Sequence, residues 1–278
     1  MIFNQQQFET ELQEVKSQLS LEGKFSEIFL HTFETLPSTN QKLWELVKEG
    51  AKEFTVVIAE QQTAGKGQWG RQWQSASGGL YLSVALAPNL QVSESAQLTL
   101  CSAWGIAQAL RAYGIPVFLK WPNDLILLGR KLGGILTETR VQQGQITKAV
   151  VGVGINWSNS VPETGISLQY FCEEELCLGV TSLESLAAIV IQGMNCGYQR
   201  SLDQGIQILL QSYLELLDSL GRQVIVDGNP GIITGVTPTG ELRVSFTSEE
   251  SAVVGASEQA SLREICLKPG TIGLGYAR

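Results

Sequence analysis

Gly65-Lys66-Gly67-Gln68-Trp69-Gly70-Arg71-Gln72-Trp73 is the stretch on which the reading of the fold turns. Glycines 65, 67 and 70 stand in the GxGxxG spacing, Lys66 and Arg71 lie among them, and Trp69 and Trp73 add two indoles. Glycine lets backbone N–H groups approach an anion closely, and the cations add charge. The stretch reads as a phosphate-gripping loop, and residues 54–60 (Phe-Thr-Val-Val-Ile-Ala-Glu) lead into it as a strand. A dinucleotide fold would start a helix inside the motif and place an acid about 20 residues later, at a second strand end. Here 71–79 run Arg-Gln-Trp-Gln-Ser-Ala-Ser-Gly-Gly, without a helical period. The next strand, Leu80 to Ala87, runs into Pro88-Asn89 without an acid. A P-loop fails as well, because no Gly-Lys-Ser/Thr closes the motif.

Downstream, residues 120–125 read Lys-Trp-Pro-Asn-Asp-Leu. Lys120 is expected to end a strand and Asp124 to open the next, with Pro122 stiffening the turn and biasing Trp121 toward extended backbone. A rigid turn holding Lys, Asn and Asp suits a metal–phosphate site, in which a carboxylate holds Mg²⁺ and an ammonium meets developing charge. A plain hairpin turn fits the same residues, since Pro-Asn-Asp is ordinary there. Next, Arg130-Lys131-Leu132-Gly133-Gly134-Ile135-Leu136 carries two glycines in a strand pattern, which weakens it unless something approaches the backbone closely. Val151-Gly152-Val153-Gly154-Ile155-Asn156-Trp157 alternates glycine in the same way and also fits a tightly packed central strand.

Around these motifs, Phe8, Leu12, Val15 and Leu19 share one face, predicting a helix over 4–20. Ser26 to Phe33 reads as extended, and Ser38-Thr39-Asn40 as a helix N-cap before Leu43, Leu46 and Val47. A long helix is expected over 93–113, strands at 116–120, 124–128, 132–139 and 147–156, and helices at 182–200 and 203–220. Helices alternating with strands in hairpins predict an α+β domain with a mixed sheet. From Gly221 on, five short runs (224–226, 231–236, 242–246, 252–255 and 262–267) read as strands of a small β-barrel.

The 278 residues are 44% apolar and 17% charged, enough for one large core and a small appended domain. A net charge of −8 lacks the basic footprint of a general nucleic-acid binder. Five cysteines, at 101, 172, 177, 196 and 266, do not resemble a secreted disulfide framework, and Cys172 and Cys177 have no second pair with which to make a zinc site. His31 is the only histidine, which disfavours His-dependent triads and multi-histidine metal sites. The start, Met-Ile-Phe-Asn-Gln-Gln-Gln, does not read as a signal peptide, and no apolar run is long enough for a bilayer, so a cytoplasmic location is expected.

Ser38-Thr39-Asn40, Gln62, Gly65 to Arg71, Lys120-Trp121-Pro122-Asn123-Asp124, Lys131 to Leu136 and Gly152-Val153-Gly154-Ile155-Asn156 follow one another in an order that resembles the biotin protein ligase family, the biotin–[acetyl-CoA-carboxylase] ligases. The likeness covers about residues 30 to 270, where Ala260-Ser261-Leu262-Arg263 resembles the family's final strand. It implies a class II synthetase-like catalytic domain of the biotin–lipoate ligase type over 26–220, preceded by a helical extension (1–25) and followed by an SH3-like β-barrel (221–270). It also implies two reactions in one site. Biotin's carboxylate attacks the α-phosphate of ATP to give biotinyl-5′-AMP, and a lysine of the biotin carboxyl carrier protein of acetyl-CoA carboxylase then takes the biotinyl group.

By that resemblance Ser38, Thr39, Asn40 and Gln62 hold biotin, and Gly65, Lys66, Gly67, Gln68, Trp69 and Gly70 close over it with Arg71. Lys131 meets the biotin carboxylate and α-phosphate, Lys120 the pentacoordinate phosphorus, and Asp124 holds Mg²⁺ or assists the acceptor amine. Trp121, Asn123, Gly133, Gly134, Gly154 and Asn156 complete the biotin and nucleotide pocket. Two departures stand out. Many members have Gly-Arg-Gly-Arg where Gly65-Lys66-Gly67-Gln68 stands, so Lys66 loses the bidentate fork and Gln68 loses a charge. Glu163 to Leu168 also lacks the aromatic that some members stack on adenine. Only 37 residues precede Ser38, against the roughly 60 of a bifunctional member's DNA-binding domain, so a monofunctional ligase without a DNA or membrane partner is expected, as monomer or homodimer. A lipoate–protein ligase and a non-catalytic biotin-binding module are the alternatives.

Overall fold

A computed structural model describes residues 3–18, 26–174, 179–247 and 262–276. In chain order the elements are α1 (Gln5–Gln18), β1 (Phe29–Leu36), α2 (Thr39–Lys48), β2 (Thr55–Gln62), β3 (Gly79–Leu86), β4 (Leu90–Gln91), α3 (Ala96–Ala112), β5 (Phe118–Lys120), β6 (Asp124–Leu127), β7 (Arg130–Gln142), β8 (Gln145–Asn156), α4 (Leu168–Glu174), α5 (Leu183–Gln204), α6 (Ile206–Glu215), β9 (Gln223–Val226), β10 (Asn229–Val236), β11 (Leu242–Thr247) and β12 (Leu262–Leu267).

The main sheet runs β1-β2-β3-β8-β7-β6-β5, with β4 pairing on β8. β1 and β2 are parallel, and the other pairings are antiparallel. A regular βαβ series is thereby excluded, and the expected α+β class with a mixed sheet is observed. Every residue of β3 is buried, as befits a central strand covered on both faces. One face packs on α3 and α5 through a core that includes Leu82, Val84, Ile106, Leu110, Ile189 and Ile191. On the other face, Leu43 and Val47 of α2 cover Val57, Ala85 and Val150. α1 adds Phe8, Leu12 and Val15 to the main core.

α3 and α5 approach so closely that glycines line the crossing. A β-carbon on Gly105 would collide with the carbonyl of Gly193, and one on Gly193 would lie 2.6 Å from the carbonyl oxygen of Gly105. α6 ends five residues before the expected position, because the chain leaves the helix to pair with β5. The Leu119 N–H donates to the Leu216 carbonyl at 2.8 Å, and Asp218 N–H donates to the Leu119 carbonyl at 2.9 Å. The short β4 and α4 are not among the expected elements.

The four later strands form an antiparallel sheet in the order β12-β11-β10-β9. The strand expected at 252–255 lies outside the described residues. The Trp121 indole donates to the Gly240 carbonyl at 2.8 Å, which ties this sheet to the turn between β5 and β6. Cys101, Cys196 and Cys266 are free thiols, whereas Cys172 is disulfide-bonded, a feature the scatter of cysteines does not suggest. No helix among the described residues is long and apolar enough to cross a membrane.

Gly105→Ala should cost about 2 to 3 kcal/mol by overpacking the α3–α5 crossing, read as a lower urea midpoint at unchanged slope. Gly273→Ala, which would meet open space, should change stability by less than about 0.5 kcal/mol.

Candidate active site

β5 and β6 form a hairpin in which Lys120 and Asp124 face each other as a pair. The turn between them is fixed by Asn123. Its amide donates to the Ile135 carbonyl at 2.7 Å, and its own carbonyl accepts the Ile135 N–H at 3.0 Å. A register shift between β6 and β7 places Gly133 opposite Leu125 and Lys131 opposite Ile126. The Lys131 backbone is held on its far side by the segment after β8: its N–H donates to the Thr164 carbonyl at 2.8 Å, and its carbonyl accepts from Ile166 at 3.0 Å. With both backbones fixed, the Lys131 Nζ reaches Asp124 Oδ1 at 2.6 Å. The second carboxylate oxygen, Oδ2, accepts from the Tyr276 hydroxyl at 2.5 Å.

The Lys120 ammonium lies 3.3 Å from the centroid of the Tyr276 ring. Burial pushes the Lys120 amine down to about 8, helped by Lys131 and opposed by Asp124. Burial and the Asp124 charge push the Tyr276 phenol up. Lys120 is thus an ammonium that can give up its proton within reach of neutral pH.

A second wall is neutral. The Gln62 Oε1 accepts from both the backbone N–H of Thr39 (2.8 Å) and its hydroxyl (3.1 Å), while Gln62 Nε2 donates to the Ser75 hydroxyl at 2.8 Å. Ser38 does occupy the N-cap of α2, but its side chain makes no capping bond. Gln62 supplies an acceptor for the first helical N–H instead. Asn40 donates to the Glu138 carboxylate at 2.9 Å, and its Oδ1 accepts from Ser83 at 2.6 Å.

The glycine stretch is an ordered hairpin-like loop. Gly67 N–H donates to the Arg71 carbonyl at 2.7 Å, and Trp73 N–H to the Gly65 carbonyl at 3.0 Å. Trp69 and Gly70 make the tip in the left-handed region, at φ 54 and 73. Gly65 has a steric duty: a β-carbon there would lie 2.5 Å from both the Ser75 hydroxyl and the Trp73 carbonyl oxygen. Trp73 turns inward, where its ring lies 5.2 Å from the Lys131 Nζ and its buried indole N–H has no partner. Gln68 is also turned inward, with a buried, unpartnered Oε1.

Charged corner, neutral wall and loop enclose one cavity of about 530 Å³. It is lined by Ser38, Thr39, Asn40 and Gln62 on the neutral side, by Lys66, Gly67, Gln68, Trp69 and Arg71 from the loop, and by Lys120, Trp121, Asn123, Asp124, Lys131, Gly134 and Gly154. Four expected residues lie outside its lining: Gly65, Gly70, Gly133 and Asn156. The Asn156 amide donates to the Lys131 carbonyl at 3.3 Å and its Oδ1 accepts from Asn159 at 3.1 Å, so it braces the strand that carries Lys131. Sequence reasoning missed Trp73, Ser75, Ser83 and the segment Gly270–Tyr276. Trp73 closes the opening motif and was within reach of it; a tyrosine 152 residues from Asp124 carries no local signal.

Residues 32–156 match the model of the biotin/lipoate A/B protein ligase family. Over 216 residues the chain is 33% identical to the bifunctional ligase/repressor BirA of Escherichia coli (strain K12), covering 74% of this chain and 66% of that protein. Over 239 residues it is 29% identical to the biotin--[acetyl-CoA-carboxylase] ligase of Mycobacterium tuberculosis (strain ATCC 25618 / H37Rv), covering 81% of this chain and 86% of that protein. Alignments with bifunctional relatives span only 38% to 66% of those proteins' length. A solved biotin protein ligase from Aquifex aeolicus, in complex with biotin and ATP, shares the fold with a TM-score of 0.66 at 24% identity, over 85% of this chain and 95% of that one.

The lowered proton affinity of Lys120 sets a pH dependence. Between about pH 8 and the ordinary lysine value of 10.5 the unfolded chain holds more protons, so stability rises with pH in that window. Each tenfold change in proton affinity is worth about 1.4 kcal/mol, and with solvent screening the window carries on the order of 1 to 2 kcal/mol. Urea unfolding of Lys120→Met and wild type should therefore show the variant gaining relative stability at pH 7 and losing that advantage by pH 10.5. Equal differences at both pH values would mean that Lys120 titrates as an ordinary lysine.

Proposed function

The chain belongs to the biotin/lipoate A/B protein ligase family through residues 32–156, and we propose on that premise that it attaches biotin to a lysine of a carrier protein, through biotinyl-5′-AMP formed from biotin and ATP. The observation that carries this reading is the joining, in one cavity, of a neutral amide–hydroxyl wall at Thr39 and Gln62 to an ammonium-rich corner at Lys120 and Lys131. A ureido ring offers two N–H donors and one carbonyl, which such a wall can pair. A dithiolane offers neither, so the wall favours biotin over lipoate.

In the first step a biotin carboxylate oxygen attacks the α-phosphorus of ATP, and pyrophosphate leaves with the bond electrons. Both reactants are anionic, so the barrier is largely electrostatic. On this reading Lys131 brings the carboxylate and α-phosphate together, and Lys120 meets the added charge on phosphorus. Arg71 and Lys66 extend the positive lining along the loop. In the second step a carrier lysine amine attacks the acyl carbon and AMP departs. The loop and its tryptophans exclude water from the mixed anhydride, which water would otherwise hydrolyse.

Mg²⁺ would be held by Asp124 together with substrate phosphate oxygens, and would neutralise phosphate charge. A single carboxylate with open phosphate partners fits that ion, and no group of three or more His, Cys, Asp or Glu that could form an all-protein cage occurs among the described residues. We assign catalysis to 26–220, with 1–25 as a helical extension and 221–270 as an SH3-like barrel. The carrier is the biotin carboxyl carrier protein of acetyl-CoA carboxylase, and the setting is the cytoplasm. The net charge of −8 offers no support for a DNA-binding role.

Purified protein incubated with biotin, Mg·ATP and a carrier domain should release pyrophosphate and biotinylate the carrier. Biotin binding without pyrophosphate would mean a binding module, and turnover with lipoate in place of biotin would mean the sister activity. Lys131→Ala should slow biotin-dependent pyrophosphate release several hundred-fold, about 3 to 4 kcal/mol of transition-state stabilisation. Release near the wild-type rate would remove Lys131 from the chemistry.

A further inference from the structure

The segment after β12 lies over the charged corner. Thr271 N–H donates to the Lys268 carbonyl at 3.1 Å, and residues 270–276 then line the cavity. The Tyr276 hydroxyl takes Asp124 Oδ2 while Lys131 takes Oδ1, so both oxygens of the carboxylate are engaged. The Tyr276 ring covers one face of the Lys120 ammonium at 3.3 Å. The two groups that metal–phosphate binding would use are therefore satisfied from within the chain.

The segment is lightly attached. Gly273 and Gly275 have nothing within 4 Å of where a β-carbon would stand, and Ile272 and Leu274 are only partly buried. Gly270 passes beside Trp69, where a β-carbon would lie 3.3 Å from the indole ring, so the segment also leans on the tip of the glycine loop. A segment held by one tyrosine and by two half-buried aliphatic side chains packed on the core, with glycines between them, opens at lower cost than the strands around it.

We propose that Gly270–Tyr276 is an internal competitor for magnesium–nucleotide, with Tyr276 holding Asp124 and covering Lys120 until the nucleotide displaces it. This rests on the ligase reading, because it takes Mg·ATP as the displacing ligand. Competition of this kind lowers apparent affinity by the fraction of molecules that are open. The phenol takes one lone-pair direction of Asp124 Oδ2 and stands over the corner, so Mg²⁺ competes with it for that carboxylate, and a phosphate oxygen cannot take the Lys120 face that the ring covers.

Calorimetric titration of the full chain with Mg·ATP tests it. Tyr276→Ala should bind Mg·ATP at least fivefold more tightly than wild type. Tyr276→Phe keeps the ring over Lys120 and loses only the hydroxyl, so it should gain two- to threefold; it also guards against a folding artefact. Hydrogen exchange of amides 271–276 in wild type should speed up on saturation with Mg·ATP. Equal or weaker binding by Tyr276→Ala, or slower exchange on saturation, overturns the proposal and leaves the ligase reading untouched. Tighter binding by the variant without biotin-dependent pyrophosphate release sinks the ligase reading and upholds the competition. Absence of Mg·ATP binding in all three proteins overturns both.

Discussion

The site exists because side chains are missing from two neighbouring strands. A β-carbon on Gly152 would sit on the Asn40 carboxamide, and one on Gly154 would lie 2.5 Å from the Trp73 indole nitrogen. On the neighbouring strand, a β-carbon on Gly134 would lie 3.4 Å from Asp124 Oδ1 and 3.5 Å from the Trp73 ring. Glycine in a strand loses conformational entropy and packs nothing, so each is a local cost. The volume released is used twice. Asn40 moves in to join Ser83 and Glu138 behind the neutral wall, and Trp73 moves in to lie beside Lys131. Amide wall and ammonium corner can share a cavity because they share this thinned floor.

The site is cationic although the whole chain is acidic, and its two inner cations are partnered from within. Lys131 is matched by Asp124, and Lys120 is matched in part by the π face of Tyr276. Lys120 is buried, and burial lowers its proton affinity instead of attracting a full salt bridge. Such a group is reserved for a charge that arrives with a ligand. Around it, Asn123, Asn156 and the 164–166 segment fix backbone positions, so the cations are presented by strands and not by a free loop.

How much of this was legible depends on how local the signal is. The β5–β6 hairpin follows from Pro122-Asn123-Asp124, whose turn chemistry acts over four residues. The absence of a helix after Gly70 follows from the turn formers of 71–79, and the antiparallel β2–β3 pairing agrees with it. The glycines at 133 and 134 announce a close approach without saying of what. Other features needed the assembled fold: the parallel β1–β2 pairing, the two-residue β4, the left-handed Trp69, and the use of Gln62 to satisfy α2 in place of Ser38. Asn156 is placed near the nucleotide by the family resemblance alone, and only the tertiary contact with the Lys131 carbonyl reveals its bracing role. Tyr276 reaches Asp124 across 152 residues of chain, a relation that no periodicity encodes.

The indole bond from Trp121 to the Gly240 carbonyl adds a directional tie between the β5–β6 turn and a small sheet whose Val226, Ile233, Val236, Leu242 and Val244 already belong to the main core. The small sheet acts through it as a buttress for the β5–β6 turn. Melting of that sheet would release the indole and so loosen the backbone between Lys120 and Asp124, which makes the integrity of the appendage a condition of the geometry at the reacting corner. A substitution in the β10–β11 connection can thus be felt at the site without touching a ligand.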